Sequence, residues 1–394
     1  MTDAAAELAR NLLCRRVDSL EDWNKLQPHW NRLLERSAES TPWQSFEHLS
    51  CWWRHLHDGR ALRIYVVEAQ GEPLLILPLQ LTNAVNSGVR VRWLEPIGML
   101  DDINRPQFAL GGGDWALRRL ALSALWNDRR EWDGLRIDER PVAGDDAQVL
   151  RQFAATRGLL FRELPFHPCP YLQLDGTWEQ FQRSTGTRLV KNLRAAQRKL
   201  EKHGKISLRI YQDPAAIEAG FEIFLAIQQY SWKHLEGIGL SRSLAYRSYY
   251  RDFLREMSQL QQARILALFV DQQPVAATIA VMAGNTYYAA QIVHDERCAE
   301  SSPGTLLESM EFHDLFQQRR FHHYDFFGAA LNNKLRWTKT VRETSRLILL
   351  QPTVKMRLLD TYWLNAKPVI KRLRATLRAS QDDVEPILGD GVPF

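Results

Sequence analysis

Three apolar runs in the second half of the chain set the pattern. Arg264–Val270, Val275–Ala283 and Thr286–Val293 are rich in Val, Ile, Leu, Tyr and Phe. Asp271-Gln272-Gln273-Pro274 separates the first pair and Gly284-Asn285 the second. Gly-Asn suits a two-residue hairpin, so the pattern predicts a short antiparallel meander. A polar loop then leads to Ser302-Pro303-Gly304-Thr305, ahead of Leu306, Leu307, Met310, Phe312, Leu315 and Phe316 at helical spacing. A helix start with a hydroxyl, a glycine and free N–H groups is suited to a phosphate or diphosphate. An ordinary N-cap with proline at N1 reads the same way. Placed after a meander, this turn points to a nucleotide-bearing acyl donor.

The first sixty residues read as helical, with Thr41-Pro42-Trp43 opening a helix through His48–His57. Strands are predicted at Leu62–Glu68, Leu74–Leu81 and Val89–Leu94, the last two joined around Asn86-Ser87-Gly88. Helix Trp115–Trp126, strand Gly134–Ile137 and helix Asp145–Arg157 follow. The proline-rich Leu164–Pro170 stretch marks a boundary. Beyond it come helices at Trp178–His203, Asp213–Glu236 and Ser243–Leu260, then the meander and its helix. Strands at Phe321–Phe327 and Ser345–Leu350 precede a basic helix over Val354–Ser380. Both halves run helices, hairpin strands, helix, strand, which predicts a structural duplication without a residue-level repeat.

A chain of 394 residues exceeds one ordinary core, so two units are expected, 1–165 and 166–352, with a tail at 353–394. The hydrophobic share of 45% and charged share of 25% are those of a soluble globular protein. No apolar run reaches membrane-spanning length, and the first residues lack a secretory pattern, so a cytoplasmic location is expected. Cys14, Cys51, Cys169 and Cys298 are scattered without metal-ligand spacing, so they read as reduced thiols and no metal is expected.

Charge changes the picture more than composition does. The net value of +5 hides two basic segments. One holds Arg183, Arg188, Lys191, Arg194, Arg198, Lys199, Lys202 and Lys205 against Glu201. The other holds Lys355, Arg357, Lys367, Lys371, Arg372, Arg374 and Arg378 against Asp360. On the first, Arg188, Lys191, Arg194, Arg198 and Lys202 share a helix face opposite Leu189, Leu193, Ala196 and Leu200. That face is either merely solvated or meets the phosphates of a cofactor, an acidic carrier or RNA. Lys191 and Arg194 are its candidate substrate contacts. The tail helix, with Val354, Leu358, Tyr362 and Val369 on an apolar edge, either meets anionic lipid or docks on the protein itself.

Candidate chemistry lies near the meander. His294-Asp295-Glu296, at the end of its third strand, supplies a possible base near the phosphate turn. In Phe321–Gly328, period two puts Asp325 on one side of a strand and Tyr324 on the other. An acid among aromatics needs a partner or a task, so Asp325 is either salt-bridged, to Arg336 or Lys339, or catalytic. Tyr324 is the candidate to protonate a leaving thiolate. His48, His55 and His57 lack ligand spacing and read as structural. Of thirteen tryptophans, Trp232 and Trp337 are taken as candidate pocket residues.

Several short segments together resemble a known family. They are Thr41-Pro42-Trp43-Gln44-Ser45, Trp52-Trp53-Arg54-His55, Lys191-Asn192-Leu193-Arg194 and Pro274-Val275-Ala276-Ala277. Asp295 followed by Ser302-Pro303-Gly304-Thr305-Leu306-Leu307, then Tyr324-Asp325-Phe326, Gly328 and Lys334-Leu335-Arg336-Trp337, complete the set. From about Thr41 to Leu350 the chain resembles the CelD/BcsL-type acetyltransferases, a branch of the N-acetyltransferase superfamily related to the Fem-type peptidyltransferases. The resemblance implies an α/β (α+β) fold of two tandem N-acetyltransferase-like domains, each a mixed, mainly antiparallel sheet flanked by helices. It implies an acyl-CoA (acetyl-CoA) donor held by Ser302, Gly304, Thr305, Leu306 and Lys334. An amine acceptor, small molecule or saccharide, in exopolysaccharide or cell-envelope synthesis is also implied. After Gly328 the family pattern has an acidic pair, a proline and Tyr-Lys. Here Ala329-Ala330-Leu331-Asn332-Asn333 stands there instead, which removes those acids from acceptor recognition. The alternatives are a Fem-type transferase using aminoacyl-tRNA, or a non-catalytic partner protein of the same fold.

Overall fold

Fourteen strands form two seven-stranded sheets in the computed structural model, which describes residues 12–37, 40–99, 108–111, 113–240 and 243–363. The first sheet takes β1 (Leu12–Val17), β2 (Ala61–Ala69), β3 (Glu72–Asn86), β4 (Val89–Pro96), β5 (Gly134–Pro141) and β6 (Leu160–Pro165). The second takes β7 (Cys169–Gln173), β8 (Ile206–Tyr211), β9 (Ala263–Val270), β10 (Gln273–Ala283), β11 (Thr286–His294), β12 (His323–Asp325) and β13 (Val341–Arg342). The fourteenth, β14 (Thr344–Leu350), returns to the first sheet.

The orders are β1-β2-β3-β4-β5-β14-β6 and, read from its other edge, β8-β9-β10-β11-β12-β7-β13. They match position for position, and each sheet has one parallel pair, β4 with β5 and β11 with β12. The expected duplication is therefore one of topology. One expectation is corrected: the Ser345–Leu350 strand, assigned to the second unit, lies in the first sheet between β5 and β6. Reciprocally, β7 fills the matching slot of the second sheet between β12 and β13. All seven residues of β14 are buried, as a central strand covered on both faces requires.

The meander stands as predicted, with β9, β10 and β11 antiparallel. The hydrophobic pattern does not announce five of the strands, β1, β6, β7, β8 and the two-residue β13. β1 is an edge strand whose residues alternate between half-buried and exposed up to the buried Val17 at its end. β6 and β7 flank the proline-rich stretch and were read as a linker, and half-buried β8 was hidden behind the basic helix. The long helix expected over Trp178–His203 is two, Trp178–Ser184 and Thr187–Glu201, because Gly186 sits between them at φ +87°. The second buries Leu189, Leu193, Ala196 and Leu200, as the spacing required.

One hydrophobic cluster runs through both units. The Phe46–Leu56 helix of the first packs along the Leu244–Gln259 helix of the second. His48 Nε2 lies 2.5 Å from the Tyr249 hydroxyl, and His55 Nε2 lies 2.8 Å from Asp252 Oδ2. Complete burial pushes His48 down to about 3, so it stays neutral and serves as a structural tie. No described helix is long and apolar enough to cross a membrane. Of the expected tail helix, Val354–Thr361 is present. Lys367, Val369, Lys371, Arg372, Arg374, Arg378 and the rest of the tail lie outside the described residues.

Leu349 is fully buried in the shared strand. Leu349→Ala should lower stability by roughly 2–5 kcal/mol in urea unfolding. A chain cut after Pro165 should give no folded first unit, because its sheet would lack the strand between β5 and β6. Dispersed amide resonances from that fragment would contradict the exchange.

Candidate active site

The parallel pairing of β11 and β12 covers only Thr286 with His323, Tyr287 with Tyr324, and Tyr288 with Asp325. β11 then continues to His294, while the chain leaves β12 at Asp325. The two strands form a fork whose vertex is Tyr288 and Asp325. From the vertex to His294, six residues at ~3.3 Å each give an open edge about 20 Å long. Along that edge the pairing of β11 with β10 passes from Ala289 opposite Ala280 to Gln291 opposite Ile279. Ala290 is the extra residue of a bulge, which bends the strand and turns its backbone groups.

At the far end of the edge lies the Pro303–Gln318 helix. Pro303 has no N–H, and the Leu306 N–H donates to the Ser302 carbonyl at 3.2 Å. The expectation that Leu306 would hold an anion is therefore corrected. Gly304 and Thr305 keep backbone N–H groups without a protein acceptor among the described residues, and Ser302 stands exposed in the left-handed region. Arg336 Nη1 donates to Thr305 Oγ1 at 2.8 Å, and Lys199 Nζ donates to the Glu300 carbonyl at 2.9 Å. Two cations thus flank this mouth, and sequence reading named neither for that role. The signal available was the Lys334-Leu335-Arg336-Trp337 run, in which only the first and last residues were taken as functional.

The corresponding helix of the first unit, Trp115–Asn127, begins differently. Asp114 caps it, accepting from the Ala116 and Leu117 N–H groups at 2.7 and 3.3 Å. Its own carboxylate already occupies the anion position. The equivalent antiparallel pair of that unit, β3 with β4, keeps its register without a bulge, and a Cβ at Gly134 would meet the Trp93 ring at 2.5 Å. Among the described residues, the helix start of the second unit lacks the internal carboxylate that caps its counterpart.

Several candidate side chains are committed elsewhere. Both Asp295 oxygens are held by Arg297, with Nη2–Oδ2 at 2.6 Å and Nε–Oδ1 at 2.9 Å, and Oδ1 also accepts the Arg297 N–H. Burial pushes the Asp295 carboxyl up, but Arg297 outweighs it and keeps the group below the usual carboxylate range. A carboxylate held at both oxygens by the residue two positions on serves as a cap of the short helical turn that follows. His294 lies at the helix mouth, with Nδ1 3.5 Å from where a Cβ on Gly304 would be and Nε2 3.2 Å from Glu296 Oε1. It neighbours the anion end of the fork.

Tyr324 is buried and donates to Glu311 Oε2 at 3.0 Å, while Tyr287 donates to Oε1 at 2.6 Å. Burial and the Glu311 carboxyl raise both phenols well above their ordinary value, so Tyr324 is a core residue facing away from the fork. Trp337, also buried, donates its indole N–H to Glu308 Oε2 at 3.0 Å. Lys334 Nζ donates to the Phe327 carbonyl at 2.6 Å, and burial lowers its ammonium against the pull of Cys169 and Asp325. Tyr324, expected as a proton donor to the leaving thiolate, Trp337, expected in the pocket, and Lys334, expected at the donor, are thus each bonded within the protein. Lys191 and Arg194 remain exposed on a helix that packs beside the Pro303–Gln318 helix. Trp232 is 43% exposed, next to Lys233, whose Nζ donates to Gln291 Oε1 at 3.0 Å beside the bulge.

The vertex belongs to both units. Trp43 stacks on Phe327 at 3.9 Å and meets Tyr288 edge-on at 5.2 Å. Asp325 is buried, its Oδ1 accepting the Phe327 N–H at 2.9 Å and its Oδ2 accepting from Arg342 Nη1 at 3.2 Å. The expected partners Arg336 and Lys339 are replaced by Arg342, on the two-residue strand β13 at the edge beyond β7. Two adjoining cavities of about 390 and 370 Å³ open here, sharing Thr286, Tyr288 and Arg342. The first is also lined by Tyr171, His323 and Asp325, and the second by Thr41, Glu139 and Asn285.

Residues 187–335 match the family model of the acetyltransferase (GNAT) domain. That span runs from the basic helix through the fork and the helix mouth to Leu335. The crystal structure of FemX superposes with a TM-score of 0.56 at 11% identity, covering 86% of this chain and 98% of that one. L-PGS from Bacillus licheniformis gives 0.51 at 11% identity, covering 84% and 94%. A tandem GNAT protein from the clavulanic acid biosynthesis pathway gives 0.45 at 13% identity, covering 87% and 99%. No curated protein sequence matches the chain. The fold is two tandem GNAT-like units, each a mixed, mainly antiparallel sheet flanked by helices.

Beneath the fork, Glu308 and Glu311 are buried one turn apart on the Pro303–Gln318 helix, and burial pushes each up to about 7. Folded, both carboxyls keep their protons well above the 4.5 at which they would ordinarily ionise. The unfolded chain therefore releases protons first, and stability should fall as pH rises from about 4.5 to about 7. Urea midpoints across that range should show the decline, and Glu311→Gln should flatten it. An unchanged slope in the variant would contradict the assignment.

Proposed function

We propose that this chain is an acyl-CoA-dependent N-acyltransferase of CelD/BcsL type, acting on an amine in exopolysaccharide or cell-envelope synthesis on the cytoplasmic side. The observation that carries the reading is the fork: a bulged, half-unpaired strand leading from a polar vertex to a helix mouth with two free N–H groups. An extended thioester donor has that shape, with an anionic diphosphate at one end and a reactive carbonyl at the other. The diphosphate would lie on the Gly304 and Thr305 N–H groups, with Arg336 and Lys199 adding charge. The pantetheine arm would follow the open edge of β11, and backbone N–H groups near Ala290 would stabilise the oxyanion.

At the vertex the acceptor amine gives up one proton and its nitrogen attacks the thioester carbonyl. The C–N bond forms, the C–S bond breaks, and the CoA thiolate leaves and is protonated by water. Asp325 is the carboxylate placed to receive the amine proton, directly or through a water. His294 and Asp295 lie at the opposite, anion end, so they would serve donor binding and loop structure. A second reading follows from the basic face of the Thr187–Glu201 helix, where Arg188, Lys191, Arg194 and Arg198 are exposed without acidic partners among the described residues. A Fem-type aminoacyl-tRNA donor would meet that face, and its activity would fall steeply with salt and be lost to RNase.

Arg336→Ala should raise KM for acetyl-CoA by about tenfold, the loss of one charge-assisted contact, with kcat nearly unchanged. Thiol release on a panel of amines provides the measurement. Unaltered donor binding in the variant, with wild-type turnover present, would remove the diphosphate from this mouth.

A further inference from the structure

The cavities at the vertex contain an unusual pairing of opposite charges. Asp325 is 1% exposed and lies at the end of β12. Arg342, 39% exposed at its side chain, lines both cavities and meets Asp325 through Nη1 alone. Its Cζ sits 5.3 Å from the centroid of the Tyr171 ring, within cation–π range. The other guanidinium donors have no protein partner among the described residues. A guanidinium held on one side by a carboxylate and an aromatic face presents its remaining N–H groups as a fork for a planar or tetrahedral anion. The other ionisable lining groups are Glu139 on the first-unit wall and His323 at the start of β12. Arg342 is thus the one permanent cation among the described residues that line this space.

Resting on the reading of the vertex as the acceptor side, we propose that the acceptor is a small zwitterion whose amine lies close to a carboxylate or phosphate. Its amine is received by Asp325 and its anionic group by Arg342. The 3.2 Å between the two side chains fixes how near the acceptor's own charges must be. An amino acid or an aminosugar phosphate meets that requirement, while a plain amino sugar or an alkylamine leaves the guanidinium unmatched. An unmatched partner costs affinity because the guanidinium has given up water for nothing in return.

The test is isothermal titration of the full chain with two matched pairs: L-alanine against L-alaninamide, and glucosamine 6-phosphate against glucosamine. At least one anionic member should bind about tenfold or more tighter than its partner without that anion. Arg342→Gln should erase that difference, and Arg342→Lys, which keeps the charge and the contact with Asp325, should retain part of it. The responding pair tells carboxylate from phosphate. Equal binding within both pairs, or a preference that survives Arg342→Gln, overturns the proposal. Should Arg342→Gln fail to fold by circular dichroism, Arg342→Lys decides, since an undiminished preference there also overturns it. Acetyl-CoA is titrated separately into the same samples. Loss of donor binding with the zwitterion preference intact would fell the acyl-CoA reading and leave this one standing.

Discussion

Backbone amides and carbonyls in a sheet must find partners, and along β11 beyond Tyr288 they have a neighbouring strand on one side only. That incomplete ladder is the constraint around which the site is arranged. A parallel pair that closed fully would leave no slot, and an edge open along its whole length would invite another chain to pair with it. Here three residue pairs close the base of the fork. Trp43 and Phe327 pack across that base, and the bulge at Ala290 bends the free stretch. A site needing an extended ligand is thereby made from main-chain geometry, with few side chains required to define its path.

The contrast between the two units shows how one topology yields two roles. Both have a parallel pair followed by a helix, and both helix mouths carry the same partial positive charge. Asp114 satisfies one internally, while the other is left to Gly304 and Thr305 with Arg336 nearby. The first unit contributes instead Trp43, Thr41 and Glu139 to the vertex and its cavities. Function is thus concentrated in one copy and shaped by the other.

The meander, the Ser302 helix start and the buried stripe of the basic helix were legible because each rests on local signals: alternation, turn chemistry and helical spacing. Asp325 was correctly marked as needing a partner, yet its partner came from Arg342 on a two-residue strand no periodicity announces. Tyr324 and Trp337 look like site residues in a motif, and only burial against Glu311 and Glu308 reveals them as core. Asp295 fell to the same limit, since Arg297 two residues on could as well have faced solvent. The fork itself depends on where pairing stops, and a sequence states where strands begin far better than where they part.

The exchange of β7 and β14 bears on ancestry. A gene encoding one such unit can double and fuse, but once each copy completes the other's sheet, neither can be lifted out and joined to a foreign protein. Recombination at the proline-rich crossing would leave the first sheet gapped and β14 without a sheet to join. Descent of this architecture is therefore expected to proceed by whole-pair inheritance, with novelty arising in the clefts and mouths and not through shuffling of halves.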